Sequence, residues 1–198
     1  MGPTAVTGAF FSHGCADGVE LVLRDLSTTV EMHQLTVANI DRLRRWEQWA
    51  QPEPTLPRTF EYTRRRLDDF TAGAMLPCAI RVDGALVGSV ELCIDTGTST
   101  SELGVWVDAR AEGRGIARSA CAAVLDHAFG PGRLQRVEAR IATTNTRSRR
   151  LAEQLGFVLE GTLRSACLVG AERQDLAVYG LIAEQWAAHG DDEARAAA

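Results

Sequence analysis

Residues 102–129 read ELGVWVDARAEGRGIARSACAAVLDHAF, and the reading of this stretch decides the fold. Glu102 to Val107 has the apolar content of a short strand, Arg110, Gly113 and Gly115 punctuate a turn, and an alanine-rich helix runs on to Phe129. Strand, glycine turn and helix together make an anion cradle. Glycine lets backbone N–H groups come close to a ligand, while the unpaired donors and the positive dipole end of the helix's first turn face the same place. Two better-known glycine loops fit the letters less well. A phosphate loop of the triphosphatase kind ends in Gly-Lys-Ser/Thr, and the chain contains no lysine. A dinucleotide fingerprint needs its third small residue where Arg118 stands, one position after Ala117. It also needs an acid at the end of the next strand, and Glu138 lies near that strand's start.

The run Arg110-Ala-Glu-Gly113-Arg114-Gly115-Ile116-Ala117 has the Arg/Gln-x-x-Gly-x-Gly/Ala pattern and resembles the cofactor loop of the GNAT acyltransferase superfamily. Further segments resemble the family in the right order. Asn145-Thr-Arg-Ser148 through Leu155-Gly156-Phe157 is similar to its second segment, and Leu159-Glu-Gly161-Thr-Leu-Arg164, with Asp175, Tyr179, Leu181 and Trp186, to its closing hairpin. Glu20-Leu-Val-Leu-Arg24, Met32 to Asn39, Leu43 and Trp46 resemble the opening of the branch that acetylates ribosomal proteins at N-terminal alanine or serine. The resemblance covers about Val19 to Ala188. It implies an α/β (α+β) GNAT acyl-CoA acyltransferase fold: a strongly twisted mixed sheet with helices on both faces. In that fold the strand ending at Val107 bulges and splays from the strand beginning near Leu134, leaving a V-shaped gap for CoA. It also implies acetyl-CoA as acyl donor, an amine acceptor, direct transfer in a ternary complex, and a homodimer.

Pattern and composition set the frame around this core. The chain has 198 residues, 45% hydrophobic and 6% aromatic, enough for one good core. We expect a loose leader at 1–18, one domain at 19–188 and a frayed tail at 189–198. No apolar run approaches the roughly 20 residues of a membrane span and no signal-like start is seen, so a cytoplasmic protein without membrane association is expected. Cys15, Cys78, Cys93, Cys121 and Cys167 are odd in number with no C-x-x-C spacing, which indicates neither a disulfide framework nor a metal site. All 21 basic residues are arginine and the formal charge is -5, a balance that argues against a nucleic-acid partner and suits a cationic acceptor.

Along the chain, Val19 to Leu26 reads as a first strand, and Thr28 to Glu31 has capping-box spacing before a helix with Met32, Leu35, Ile40, Leu43 and Trp46 inward. Pro52, Pro54 and Pro57 mark an irregular segment. A second helix from Thr59 to Ala72 is expected to turn Phe60, Leu67 and Phe70 inward and Arg64, Arg65 and Arg66 outward. Cys78–Val82 and Ala85–Ile94 form a hairpin across Asp83-Gly84. Leu134 to Ala142 reads as a strand, Asn145 to Leu155 as a helix closed by Gly156, and Phe157–Leu168 with Glu172–Ile182 as a hairpin across Gly170.

The resemblance assigns the chemistry residue by residue. Val105, Trp106 and Val107 would offer N–H groups to the acyl oxygen and pantetheine. Arg110, Gly113, Arg114, Gly115, Ile116 and Ala117 would hold the pyrophosphate. Asn145 has N-cap spacing and would also bond pantetheine. Arg147, Arg149 and Arg150 oppose the dipole of their helix unless a CoA phosphate lies near. Ser148 would be the general acid to the CoA sulfur, with a locally satisfied first-turn hydroxyl as the competing reading. Glu102 would be the base, with Glu91, Glu160 or water as rivals. A Cys121/His127 nucleophile pair is disfavoured because a six-residue step places the two on different helix faces, and His33 reads as a packing or capping residue. The acceptor is left between a protein N-terminal α-amine and a small-molecule amine such as an antibiotic, and a longer acyl donor or a non-catalytic acyl-CoA sensor stays open. An α-amine needs less help from a base than lysine does: their ordinary pKa values differ by an amount worth about 3.5 kcal/mol.

Overall fold

Asp83 and Gly84 have φ of 51° and 82°, the left-handed pair that a tight hairpin requires. They join β3 (Met75–Val82) to β4 (Ala85–Asp95). The structure is a computed structural model describing residues 12–15, 18–169 and 172–196. Around the hairpin lie β1 (Ser12–Gly14), β2 (Val19–Leu23), β5 (Thr100–Val107), β6 (Arg136–Ala142), β7 (Val158–Val169) and β8 (Glu172–Ile182). They form an eight-stranded sheet in the order β1-β2-β3-β4-β5-β6-β8-β7. Among the described strands only β5 and β6 run parallel; their connection carries α3 (Ile116–Phe129), as a parallel crossover must carry a long link. The other helices are α1 (Thr29–Trp46), α2 (Leu56–Thr71), α4 (Thr146–Gln154) and α5 (Ala183–Ala196).

Alternation along the strands sends side chains to two faces. Leu21, Ile80, Val90 and Val105 join Ile116, Ala120, Cys121 and Val124 of α3 in the larger core. Val22 and Ala79, with Trp106 packed against them, meet Met32 and Leu35 of α1 on the other face.

The fork is the feature that positions the site. β4 and β5 pair in unbroken register from Asp95↔Thr100 to Gly88↔Val107. β5 and β6 pair only at Thr100↔Arg136, Ser101↔Val137 and Glu102↔Glu138. Beyond that point β6 stays with β8 as far as Ala142, so Leu103–Val107 and Ala139–Ala142 diverge. The splay is as expected. The bulge expected to cause it is absent, because the β4/β5 register never shifts.

Several local expectations are corrected. The Glu31 carboxylate accepts from the Leu86 N–H at 2.7 Å and so leaves no capping box; the Asp25 carboxylate accepts from the Ser27 and Thr28 N–H groups instead. Pro57 opens α2 as its second residue, a place where proline's missing N–H costs nothing. Phe60 is 38% exposed, and Thr63 is the buried residue of α2. Arg66 turns in to stack on Tyr62 and pair with Asp69. Within the expected leader, Ser12–Gly14 pairs with Glu20–Val22 as an edge strand, and residues 1–11 and 16–17 lie outside the described residues, as does the Gly170 turn. The expected tail is helical as far as Ala196.

Candidate active site

Backbone direction on β5 decides which groups face the fork. The Asp108 N–H donates to the Val87 carbonyl at 2.6 Å. By alternation Trp106 and Gly104 also turn their backbone to β4, while Val107, Val105 and Leu103 turn theirs to the side that β6 has left. The Val107 carbonyl accepts from Arg42 on that side, at 3.4 Å. Val105 and Val107 therefore stand where donors to a ligand are needed. The expected N–H of Trp106 is corrected: it faces β4, and the indole lines a cavity on the helical face.

The turn after β5 holds its shape through charged side chains rather than apolar contacts. Asp108, with a side chain only 9% exposed, accepts from the Arg110 N–H and is forked by the Arg110 guanidinium at 2.7 Å. That guanidinium, first among the causes, holds the Asp108 carboxyl below the usual carboxylate range. Arg110 thus secures the turn. Gly113 and Gly115 have φ of 74° and 75°, with open space where a Cβ would stand. Glycine serves here for its backbone freedom. Gly115 is the N-cap of α3, and among the described residues no N–H from Gly113 to Ala117 is bonded to another backbone group. Arg114 is exposed beside them. These donors fit a pyrophosphate.

The arginines of α4 divide. Arg147 pairs with Glu112, which also pairs with Arg42. Arg149 donates to the Tyr179 hydroxyl at 2.9 Å and the Thr143 carbonyl at 3.2 Å. Two of the three candidate phosphate ligands thus answer the dipole penalty with internal partners; Arg150 is exposed. Asn145 caps α4, its Oδ1 accepting from the Ser148 N–H at 3.2 Å. The Ser148 hydroxyl has no hydrogen-bond partner among the described residues and lines the fork, which removes the competing reading of local satisfaction. Cys121 is buried and His127 exposed, so they form no pair. His33 bonds Thr59 at 3.1 Å, a packing contact between α1 and α2.

Two cavities meet at the fork. One, about 140 Å³, lies between β5 and β6 and reaches Cys121, Asn145 and Ser148. The other, about 440 Å³, lies under α1 and α2, against Tyr62, Glu91 and Trp106. Glu47, Gly104 and Val105 line both. Glu47 caps the C-terminus of α1 and accepts from the Trp49 indole at 3.0 Å. Burial, above all, pushes its carboxyl up; Glu91 and Glu102 add to this, and Trp49 opposes it. Gly104 leaves the junction without a side chain. Sequence reasoning missed both residues, since neither interrupts a pattern.

The expected bases fare differently. Glu102 lines neither cavity; its side chain is 52% exposed and 3.8 Å from Arg140. Glu160 is forked by Arg136, which first among the causes lowers its carboxyl pKa, a poor setting for a base. Glu91 lines the larger cavity and accepts from the Tyr62 hydroxyl at 3.3 Å.

Comparison with known proteins shows what the whole chain is similar to. The family profile described as "Acetyltransferase (GNAT) domain" matches residues 20–158. The Bacillus subtilis protein "Putative ribosomal N-acetyltransferase YdaF" is 30% identical over 159 residues, 77% of this chain and 85% of its own length. The Escherichia coli "Ribosomal-protein-serine acetyltransferase" is 32% identical over 83 residues, 42% of this chain and 46% of its own length. Among solved structures, the RimL "Ribosomal L7/L12 alpha-N-protein acetyltransferase in complex with Coenzyme A" superposes with a TM-score of 0.84 at 22% identity, over 86% of this chain and 97% of that one.

Proposed function

The chain belongs to the GNAT acetyltransferase family, and from that premise we propose that it acetylates the N-terminal α-amine of a protein, of the ribosomal kind. It is an acyl-CoA-dependent N-acetyltransferase with acetyl-CoA as donor. The meeting of the two cavities at Glu47, Gly104 and Val105 carries the reading. The smaller cavity takes the thioester end of the donor and the larger one the amine, so transfer is direct. Burial pushes the thiol of Cys121, which lines the donor cavity, up to about 12, so at neutral pH it supplies no thiolate to carry the acetyl group.

The donor supplies an activated acetyl carbonyl; the protein orients it and manages two protons. Residues Gly113 to Ala117 hold the pyrophosphate on backbone N–H groups, and Val105 and Val107 turn theirs toward the acyl and pantetheine end. Glu47 takes the proton of the attacking amine, in place of Glu102. An α-amine of ordinary pKa about 7.8 is roughly a tenth neutral at pH 7, so a single carboxylate at the junction suffices. The unbonded Ser148 hydroxyl passes a proton to the departing sulfur and takes one from solvent in its place. Asn145 fixes Ser148 by capping its helix.

The ribosomal reading draws on the names of the relatives, and with it go a cytoplasmic site of action and a homodimer. No described helix is long and apolar enough to cross a membrane. Thiol release from acetyl-CoA, followed with peptides bearing free N-terminal serine or alanine, N-blocked lysine peptides and aminoglycosides, tests the acceptor. Free-N-terminus peptides are expected to turn over fastest. Turnover confined to aminoglycosides would replace the protein acceptor with a small molecule, and CoA binding without turnover on any amine would favour a sensor.

A further inference from the structure

Arg24 is the deeply buried cation of the acceptor cavity, and among the described residues no carboxylate pairs with it directly; Glu91 acts on it from farther off. It follows β2 directly, with its N–H on the Pro77 carbonyl at 2.9 Å, and is only 8% exposed. Its guanidinium lies 4.6 Å from the centre of the Tyr62 ring and lines the larger cavity. Among the described residues that guanidinium makes no hydrogen bond and no ion pair, and its Nε is enclosed without a partner. More exposed arginines are better served: Arg44, Arg66 and Arg136 each have a carboxylate within 4 Å.

The charges around Arg24 fill the role only in part. Arg66 sits 4.8 Å from the same ring, a second cation, and pairs with Asp69 at 3.3 Å. The Glu91 carboxylate accepts from the Tyr62 hydroxyl and favours the Arg24 charge through space, without pairing with it directly. The Tyr62 phenol, pushed up to about 12 chiefly by burial, stays neutral at physiological pH. A buried cation is stable when a matching anion is desolvated with it, and a guanidinium's planar fork matches the paired oxygens of a carboxylate.

We propose that Arg24 binds an anionic group on the acceptor, so that the substrate is an amine that also carries a carboxylate, held with its amine at Glu47 and its acid at Arg24. This rests on the reading of the larger cavity as the acceptor site. For a protein substrate, the carboxylate is an aspartate or glutamate side chain within the first few residues, and Arg24 is a specificity-determining residue.

The test is calorimetric binding to the full chain loaded with CoA, using acceptors matched in shape and differing in charge. One format is short peptides with a free N-terminus and Asp or Asn, Glu or Gln, at positions two to four. The other is 4-aminobutyrate against its amide. The acid member is expected to bind about ten-fold tighter or more at one peptide position, and Arg24→Gln is expected to erase the preference; CoA affinity of the variant reports that it is folded. Equal binding of both members in both formats, including binding too weak to detect, overturns the proposal on the wild type alone, as does a preference that survives Arg24→Gln. A preference found only for aminobutyrate keeps Arg24 as an anion receptor and removes the protein N-terminus as acceptor.

Discussion

The proposed donor cradle and the proposed acceptor cavity are neighbours built on opposite plans. From Leu103 to Ala117 the chain presents backbone: N–H groups turned from β5 to the fork, two left-handed glycines and the first turn of α3. The acceptor cavity presents side chains drawn from separated segments, with Arg24 after β2, Glu47 after α1, Tyr62 on α2, and Glu91 and Trp106 on adjacent strands. A backbone site constrains which residues its own stretch can hold, because few tolerate positive φ. A side-chain site constrains residues far apart, each of which is ordinary where it stands. On the proposed reading, the donor site is fixed by local geometry, and the acceptor site can be rewritten one side chain at a time.

Substitutions that separate the two plans test this contrast. Gly115→Val forces a β-branched residue to φ near 75°, at a cost of about 1–2 kcal/mol or more, and displaces the donors of α3. CoA affinity, measured by calorimetry, is expected to fall about 100-fold or more; an unchanged affinity would move donor recognition onto side chains. Glu47→Gln acts on the other plan. Its kcat is expected to fall about 100-fold, with CoA affinity kept.

Glu47 also leaves a mark in pH. Because burial raises its carboxyl above 4.5, the acid limb of kcat should fall as pH drops through that raised value, and the limb should be lost in the variant. The folded state then holds a proton that the unfolded chain has released, so stability conferred at low pH is lost as pH rises from about 4.5 through the folded value. Thermal melts should show Glu47→Gln more stable than wild type at neutral pH, with the gap closing in acid. Ser148→Ala should lower kcat by about ten-fold or more and leave both ligands bound; stopped-flow single turnover separates this from a binding defect. The smallest effect is expected for Glu102→Gln. Its side chain is half exposed and its nearest cation 3.8 Å away, so rate should hold and stability should change by less than about 0.5 kcal/mol. A large loss of rate would return the base to β5.

What was legible in the sequence follows the same division. Asp83-Gly84, Gly113, Gly115, Asn145 and Gly156 each punctuate the backbone, and each stands where its chemistry predicts. The splay of β5 from β6 came through resemblance; no residue from Leu103 to Val107 announces a missing partner. Glu31 misled because capping-box spacing cannot see Leu86, which reaches it only through the hairpin. Arg66 and Arg149 misled because an arginine written among charges reads as solvated: Tyr62 is the i,i+4 neighbour of Arg66 on α2, and folding brings Tyr179 to Arg149. Glu47 and Gly104 left no local sign. Their importance arises from the junction of two cavities, which exists only in three dimensions.

The fork should also be visible to solvent deuterium. A strand inside a sheet ordinarily guards its amides on both edges, but β5 past Glu102 has one guarded edge. Protection along it should alternate, with the amides of Trp106 and Asp108 slow beside those of Val105 and Val107, in the middle of an eight-stranded sheet. Docking of the donor would cover the open edge and smooth the pattern, making two valine amides a clock for occupancy that needs no acceptor and no turnover.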